Sequence, residues 1–495
     1  RHWSERTDKL TLRLQGVVAT NLGYPQDGIL EKIEAFMREY YQHTGALYEH
    51  SISVMQSLRL LQKEYDDRTG IVNFLARRLG RKEEEQRFDG FVVKDLLMYP
   101  EDNQIFRYEP NRLMRLFQHL QRRHLRLSPA LRRLVKENWN LVDRPFRIDR
   151  KNRNTFEAML SRKGDVSRPL RQMHRVGVLG RYIPEFGVLD CLVQHEFFHQ
   201  FTADEHTLKT IDVLDGLADG DSSKTGVYRK LFHELEDPYI LYLALLLHDA
   251  GRAENTRFHT EESLVSATNV CKRLGIRGER RKLLLFLIDN HLIFYKTATS
   301  RNIEDPETIR DFAAIVKNQS NLEALLLLTY ADANGTSVEG LNSWKEMLMM
   351  QLFRSTSDYL ERGDGFDLDH EAANRELRET VEAKFTDDYA EEIAAHFEKM
   401  PERYFLFRDS TTVARHIKLF RKFLKHTLSH EGLESLQPAI RWVHFPDRGF
   451  SQLELACWGR SGLLAKVAGA LATYEVNILS ADIFTRDDDL SLIHI

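Results

Sequence analysis

The sequence predicts a mainly α-helical protein: a helical region, an all-helical domain, and a small α+β unit at the C-terminal end. Three observations predict it. Apolar residues recur at heptad-like spacing in ILEKIEAFMREYYQHTGALYEHSISVMQSLRLL and again in NRLMRLFQHLQRRHLRL. A helix that is apolar nearly all round, YILYLALLLHDA, ends on a polar His-Asp pair. After Gly449 the apolar period changes from helical to alternating.

The first region, residues 1–190, reads as helix after helix, and RFDGFVVKDLLMY reads as a strand pair interrupting them. From Arg112 to Arg181 lysine and arginine outnumber the acids. Such a stretch can hold RNA or a nucleotide phosphate, but a solvated cationic face balanced by the acidic tail of the chain is the preferred reading.

The second region, residues 191–365, is the all-helical domain. In LEDPYILYLALLLHDAGR, Asp237 is placed to cap a helix, Pro238 suits its first turn and Gly251 ends it. His248 and Asp249 therefore sit on the last turn of a buried helix, where a polar pair is costly unless something satisfies it. Residues 366–446 form an acidic helical connector. In residues 447–495, SQLELAC reads as a strand, SGLLAKVAGALATYE as a helix and VNILSADIF as a second strand, a β-α-β unit.

Composition narrows the function classes. With 495 residues the chain can hold two to four domains, and its formal charge of -4 gives no global attraction to nucleic acid or membrane. Cys191, Cys271 and Cys457 form neither a CxxC pair nor a disulfide framework, which fits a reducing cytoplasm. No apolar run is long enough to span a membrane, and the basic start lacks the apolar core of a signal peptide. The chain does not open with methionine and is expected to be a piece of a longer protein.

Two candidate chemistries compete. HEFFH at His195–His199 carries the HExxH pattern, in which two histidines one turn apart hold zinc and Glu196 activates water. Against it stands an ordered set near predicted helix ends: His206, the His248-Asp249 pair, His259, His291 and Asp332. A helical bundle can converge such ends on one cavity, with imidazoles and carboxylates as ligands for a divalent ion. A third HExxH ligand would have to be His206, which the second set already uses, so the peptidase reading is the weaker one and His195 and His199 are expected beside the metal site.

The order histidine, HD, further histidines and a late aspartate resembles the HD superfamily of metal-dependent phosphohydrolases. LRQMHRVGVLGRYIPEFGVLDCLVQHEFFHQFTADEHTL resembles more closely the bacterial PII uridylyltransferase/uridylyl-removing enzymes, the GlnD family. NLGYP, DPETIRDFAAIV, LLTYADANGTS, MPERYF and NILSADIFTR carry the likeness along nearly the whole chain. The resemblance implies an N-terminal nucleotidyltransferase domain, a helical region, an HD domain and two ACT domains. It also implies an enzyme that attaches UMP to a tyrosine of the regulator PII when glutamine is scarce and removes it when glutamine is plentiful.

On that basis the expected activity is metal-dependent hydrolysis of the phosphodiester joining UMP to PII. His206, His248, Asp249 and Asp332 would hold the primary ion, Mg or Mn, with His259 and His291 for a second ion or for phosphate. Asp249 and Arg252 are the expected catalytic residues, Arg252 offsetting charge on the phosphoryl oxygens. Gly462, Leu463 and Asn477 are the expected effector contacts of the ACT unit, with glutamine as effector, uridylylated PII as partner, and neither membrane nor nucleic acid.

Four departures accompany the likeness. Neither GFDLDHE nor RDDDL follows a Gly-Ser loop in strand context, so the transferase site is expected to be absent. Arg252 stands where the family often has lysine, and Gly459 where the ACT loop usually begins with an acid. The closing LSLIHI matches what a common sequencing-library adapter encodes and is expected to be foreign sequence. The rival readings are a regulatory module with a structural HD cavity and a small-molecule-sensing ACT unit, and an RNA-processing enzyme docking through the basic helices.

Overall fold

A computed structural model describes residues 10–57, 85–193, 201–219, 226–253, 259–303, 305–336, 341, 343–362, 369–401, 404–405, 408–432, 434–445, 450–478 and 481–495. The chain is mainly helical with two small sheets. It divides into two compact units, residues 1–292 with 323–340, and residues 293–322 with 341–495.

The first unit opens with α1 (Leu12–Asn21) and α2 (Ile29–Ser57), which pack around Ala19, Ile33, Phe36 and Met37. The expected strand pair is three antiparallel strands, β1 (Gln86–Phe88), β2 (Phe91–Lys94) and β3 (Leu97–Pro100). Both connections are two-residue loops with positive φ, Asp89-Gly90 and Asp95-Leu96. The first is the Asp-Gly type that favours a hairpin. The second lacks a glycine, which is why the pattern shows one turn where there are two.

Helix α3 (Arg112–Arg123) buries Leu113, Met114, Leu116, Phe117 and Leu120, and after it β4 (Arg126–Leu127) pairs parallel with β3. Arg112 and Arg115 of the basic stretch pair with Asp89, and Arg115 also with Glu109. Acids local to the fold, rather than a distant acidic tail, thus take up these charges. Burial would raise the Asp89 carboxyl, but Arg115, His119 and Arg112 outweigh it and bring it down to about 2.

After α4 (Pro129–Glu137), α5 (Arg150–Leu160) and α6 (Ser167–Arg175) come the helices that build the site. These are α7 (Ala203–Asp219), α8 (Gly226–Glu234), α9 (Pro238–Leu247), α10 (His259–Leu274) and α11 (Gly278–Asp289). All ten residues of α9 are buried, as its unbroken apolar sequence requires. Asp237 precedes α9 without capping it by a side-chain hydrogen bond; its Oδ2 accepts from Arg280 Nε at 2.6 Å instead.

The second unit contains α12 (Ile293–Ser300) and α13 (Pro306–Val316). Helix α14 (Gln319–Thr336) follows, and its residues from Glu323 onward belong to the first unit. The rest of the second unit comprises α15 (Ser343–Arg362), α16 (Asp369–Glu382), α17 (Ala390–Lys399), α18 (Ser410–Ser429) and a sheet. The expected β-α-β unit is larger than the pattern suggested. Strands β5 (Ala439–Phe445), β6 (Phe450–Trp458), β7 (Asp482–Thr485) and β8 (Leu490–His494) form an antiparallel sheet in the order β5-β6-β8-β7, with α19 (Leu463–Ala472) between β6 and β7.

The closing LSLIHI supplies β8, with Leu490, Leu492 and Ile493 buried. Among the described residues of the expected strand VNILSADIF, Asp482 onward is extended, in β7, while 476–478 and 481 are not. No helix among the described residues is long and apolar enough to cross a membrane.

Candidate metal centre

Five helices deliver polar side chains to one buried point of the first unit. α7 carries His206, α9 runs into His248 and Asp249, α10 begins at His259, and His291 follows α11. Asp332 comes from α14. The seven residues expected to form the site, Arg252 included, are therefore brought together.

Two glycines make the approach possible. A Cβ on Gly251 would lie 2.2 Å from the His259 carbonyl oxygen and 2.5 Å from Ser263 N, distances no side chain tolerates. The Gly251 N–H donates to Ser263 Oγ at 2.9 Å, fixing the turn after the HD pair against α10. A Cβ on Gly335 would lie 2.7 Å from Thr210 Cγ2 and 2.9 Å from Thr210 N, so α14 meets α7 at backbone distance. That contact brings Asp332 to His206.

The cluster has two lobes. In one, Asp332 Oδ1 lies 3.1 Å from His206 Nε2 and 3.5 Å from His248 Nε2, the two Nε2 atoms lie 3.4 Å apart, and Asp249 Oδ2 lies 3.6 and 3.5 Å from them. In the other, Asp249 Oδ1 lies 3.9 Å from both His259 Nε2 and His291 Nε2 and 2.7 Å from Arg252 Nε. The two lobes share Asp249, one oxygen each.

Tautomers are set from behind. His248 Nδ1 donates to the Leu245 carbonyl at 2.8 Å and His291 Nδ1 to the Ile288 carbonyl at 2.7 Å, so both present Nε2 to the cluster. His291 Nε2 is buried and has no hydrogen-bond partner among the described residues. A buried ring nitrogen without a partner is costly, and a cation would satisfy it.

The electrostatics also suit a cation. Burial would lower His248, but the Asp249 and Asp332 carboxylates outweigh it and raise its pKa to about 9. Burial and the neighbouring His248 push His291 down to about 4, so it is neutral at pH 7. Burial opposes ionisation of Asp249 and Asp332 as well, yet the charge of His248, with Arg252 and His206 beside Asp249, holds both carboxyls well below the usual range. Asp332, 20% exposed against 2% for Asp249, marks the side on which the cluster opens.

These imidazole and carboxylate donors fit one or two divalent ions. His206, His248 and Asp249 present donor atoms within 4.8 Å of one another, and so do Asp249, His259 and His291. The HExxH residues His195, Glu196 and His199 lie outside the described residues. His206, the third ligand that pattern would need, faces Asp332 and His248.

The expected effector residues belong to the second unit. Gly462 has a left-handed φ of 75° and precedes α19, Leu463 is its first residue, and Asn477 is exposed in the loop before β7. Gly459, just after β6, sits so close to β8 that a Cβ would lie 2.8 Å from Ser491 Oγ and 3.0 Å from the Asp489 carbonyl oxygen, so a side chain there would require Ser491 to shift.

The sequence reading missed the clasp behind His206. Arg171 pairs with Glu205 and Asp212, the Ser167 hydroxyl donates to Asp212, and the Val166 and Ser167 N–H groups donate to Asp215. Positions 205, 212 and 215 recur at helical spacing on α7, a signal that reads as an ordinary solvated face until α6 is placed against it.

Comparison with known proteins gives a consistent likeness. Residues 91–182 match the family described as the third domain of uridylyltransferase GlnD. Over 486 residues the chain is 29% identical to a bifunctional uridylyltransferase/uridylyl-removing enzyme of Cereibacter sphaeroides, covering 97% of this chain and 50% of that protein. The enzyme of the same name from Azospirillum brasilense is 27% identical over 98% of this chain and 50% of its own. That of Stutzerimonas stutzeri is 31% identical over 98% and 52%. The chain thus spans about half the length of the curated relatives it matches.

Proposed function

Because the chain belongs to the family of the bifunctional uridylyltransferase/uridylyl-removing enzymes, we propose that its histidine-aspartate cluster is the uridylyl-removing site, hydrolysing the phosphodiester that joins UMP to a tyrosine of PII. The observation that carries this reading is the Asp249 carboxylate, whose Oδ2 faces His206 and His248 and whose Oδ1 faces His259 and His291. One carboxylate between two donor sets is the arrangement that holds paired cations against a phosphate.

His206, His248, Asp332 and Asp249 Oδ2 would hold one ion, and His259, His291 and Asp249 Oδ1 a second, with Mg or Mn as the ions. Such ions supply Lewis acidity to the phosphate and to the attacking water. The backbone carbonyls behind His248 and His291 keep their Nε2 atoms aimed inward, so no ring must turn before the reaction. Arg252, held by its Nε on Asp249, adds positive charge beside the phosphoryl oxygens as the phenolate leaves. Tyrosine is a fair leaving group because its ordinary pKa is about 10.

On this reading residues 191–365 are the hydrolase domain, residues 1–190 and 366–446 are helical regions flanking it, and residues 447–495 are an ACT unit. Glutamine would bind there at Gly462, Leu463 and Asn477, and the enzyme would work in the cytoplasm. Incubating the purified chain with uridylylated PII, Mn²⁺ or Mg²⁺, and glutamine should release UMP. A chain that binds no metal and releases none would favour the rival reading, a regulatory module with a structural cavity.

A further inference from the structure

A second group of potential ligands lies on the opposite face of α7. His174 at the end of α6, Asp190 in the turn that precedes α7, and Asp204 in the first turn of α7 present donor atoms within 4.8 Å of one another. Residues 204 and 206 are about 200° apart around a helix. While His206 faces the first cluster, Asp204 therefore faces α6.

We propose that His174, Asp190 and Asp204 form a separate structural cation site, taking a zinc-like divalent ion that staples the first turn of α7 to α6. His174 Nε2 lies 3.0 Å from Asp204 Oδ2 and 3.9 Å from Asp190 Oδ1. Tetrahedral zinc with bonds of about 2.0–2.1 Å sets its ligand atoms about 3.4 Å apart. The two observed spacings bracket that value, so small side-chain adjustments would close the site.

The donor set fits such an ion. One imidazole and two carboxylates suit zinc or manganese, and two negative charges balance a divalent cation. Asp204 is 4% exposed; its Oδ2 carries the bond to His174, and its buried Oδ1 meets no full hydrogen bond, with Thr202 and the Cys191 N–H beside the carboxylate. Asp190 makes no side-chain hydrogen bond among the described residues, and at 54% exposure it leaves a path for the ion to enter.

A plain His174–Asp204 hydrogen bond would account for two members of the group but not for the Asp190 carboxylate held beside Asp204. With the ion bound, the His174 ring carries its proton on Nδ1, and Nε2 exchanges its bond to Oδ2 for a bond to the metal. The end of α6, the turn at Asp190 and the first turn of α7 would then be tied together, two residues from His206.

The test is metal content. The full chain is stripped with a chelator, dialysed against Zn²⁺, and its bound zinc measured by atomic emission, in the wild-type background and in Asp249→Asn. In both backgrounds His174→Ala and Asp190→Asn should each lower the content by one ion per chain. Asp190 is on the surface, so its amide variant reports on binding even where His174→Ala destabilises the fold. Co²⁺ in place of zinc should give visible absorption bands in Asp249→Asn that Asp190→Asn removes. Equal zinc content with and without the Asp190 and His174 substitutions, or no zinc retained in Asp249→Asn, would overturn the proposal. Neither readout depends on UMP release, so the failure of this site and of the hydrolase reading are told apart.

Discussion

Asp332 Oδ1 sits 3.1 Å from His206 Nε2, and it does so because Gly335, one turn further along the same helix, lets α14 lie against the backbone of Thr210. The side-chain contact at the site is thus made by a backbone contact beside it. Distances of this kind set what each substitution should do.

Asp249→Asn keeps the shape of the shared carboxylate and removes its charge. The variant is expected to stay folded, to lose metal from both lobes and to release no UMP from uridylylated PII. Circular dichroism, metal analysis and the UMP assay check the three parts. Wild-type metal and hydrolysis would remove the cluster as the seat of chemistry.

Gly251→Ala puts a methyl group where the His259 carbonyl already lies. Overpacking of this order costs roughly 1–3 kcal/mol, and relief requires α10 to back away from the HD turn. The expected result is a lower melting temperature, together with weaker metal binding. Unchanged melting and metal affinity would mean that the turn has slack the structure does not show.

Glu196→Gln tests the peptidase pattern. As a peptidase base Glu196 would be indispensable with metal still bound. As a neighbour of the cluster its loss should slow UMP release by less than about tenfold, or about 1.4 kcal/mol of barrier. Complete loss with full metal content would restore the HExxH reading.

Glu454 gives a pH prediction in the second unit. It is fully buried on β6, where its carboxylate accepts from Arg415 and Arg441 and lies 3.5 Å from His416. Burial would raise its pKa, but His416 and Arg415 outweigh it and bring it from 4.5 to about 2. A depressed carboxyl stabilises the fold above its unfolded pKa and loses that contribution as pH falls through the folded value. The contribution, on the order of 3 kcal/mol, should be intact at pH 7 and vanish between about pH 4.5 and 2. Glu454→Gln should lack this acid-dependent loss, which denaturant titration at stepped pH would reveal.

How much of this could be read from the chain follows from the range of each signal. The ten apolar residues of α9 declare burial by themselves, so the cost of His248 and Asp249 at its end was legible, as was the run of histidines around them. Neither Gly335 nor the α6–α7 clasp was legible, because each depends on a helix distant in sequence. Asp237 shows the same limit: a proper cap residue by pattern, it is drawn off by Arg280 from another helix. β5 lies inside residues 366–446, read as a helical connector, and the five-residue β8 has too few alternations to stand out; the pairing of both with β6 joins segments separated in sequence.

The division of Asp249 between two lobes has a thermodynamic consequence. Two cations that draw on one carboxylate cannot load independently: the first to arrive neutralises part of the charge that would attract the second. By linkage the penalty is mutual, and it makes the second step weaker than the first. Metal activation of UMP release should therefore rise in two separated phases, with a Hill coefficient below one across the full titration. A single hyperbolic rise would mean that only one of the two positions matters to the rate.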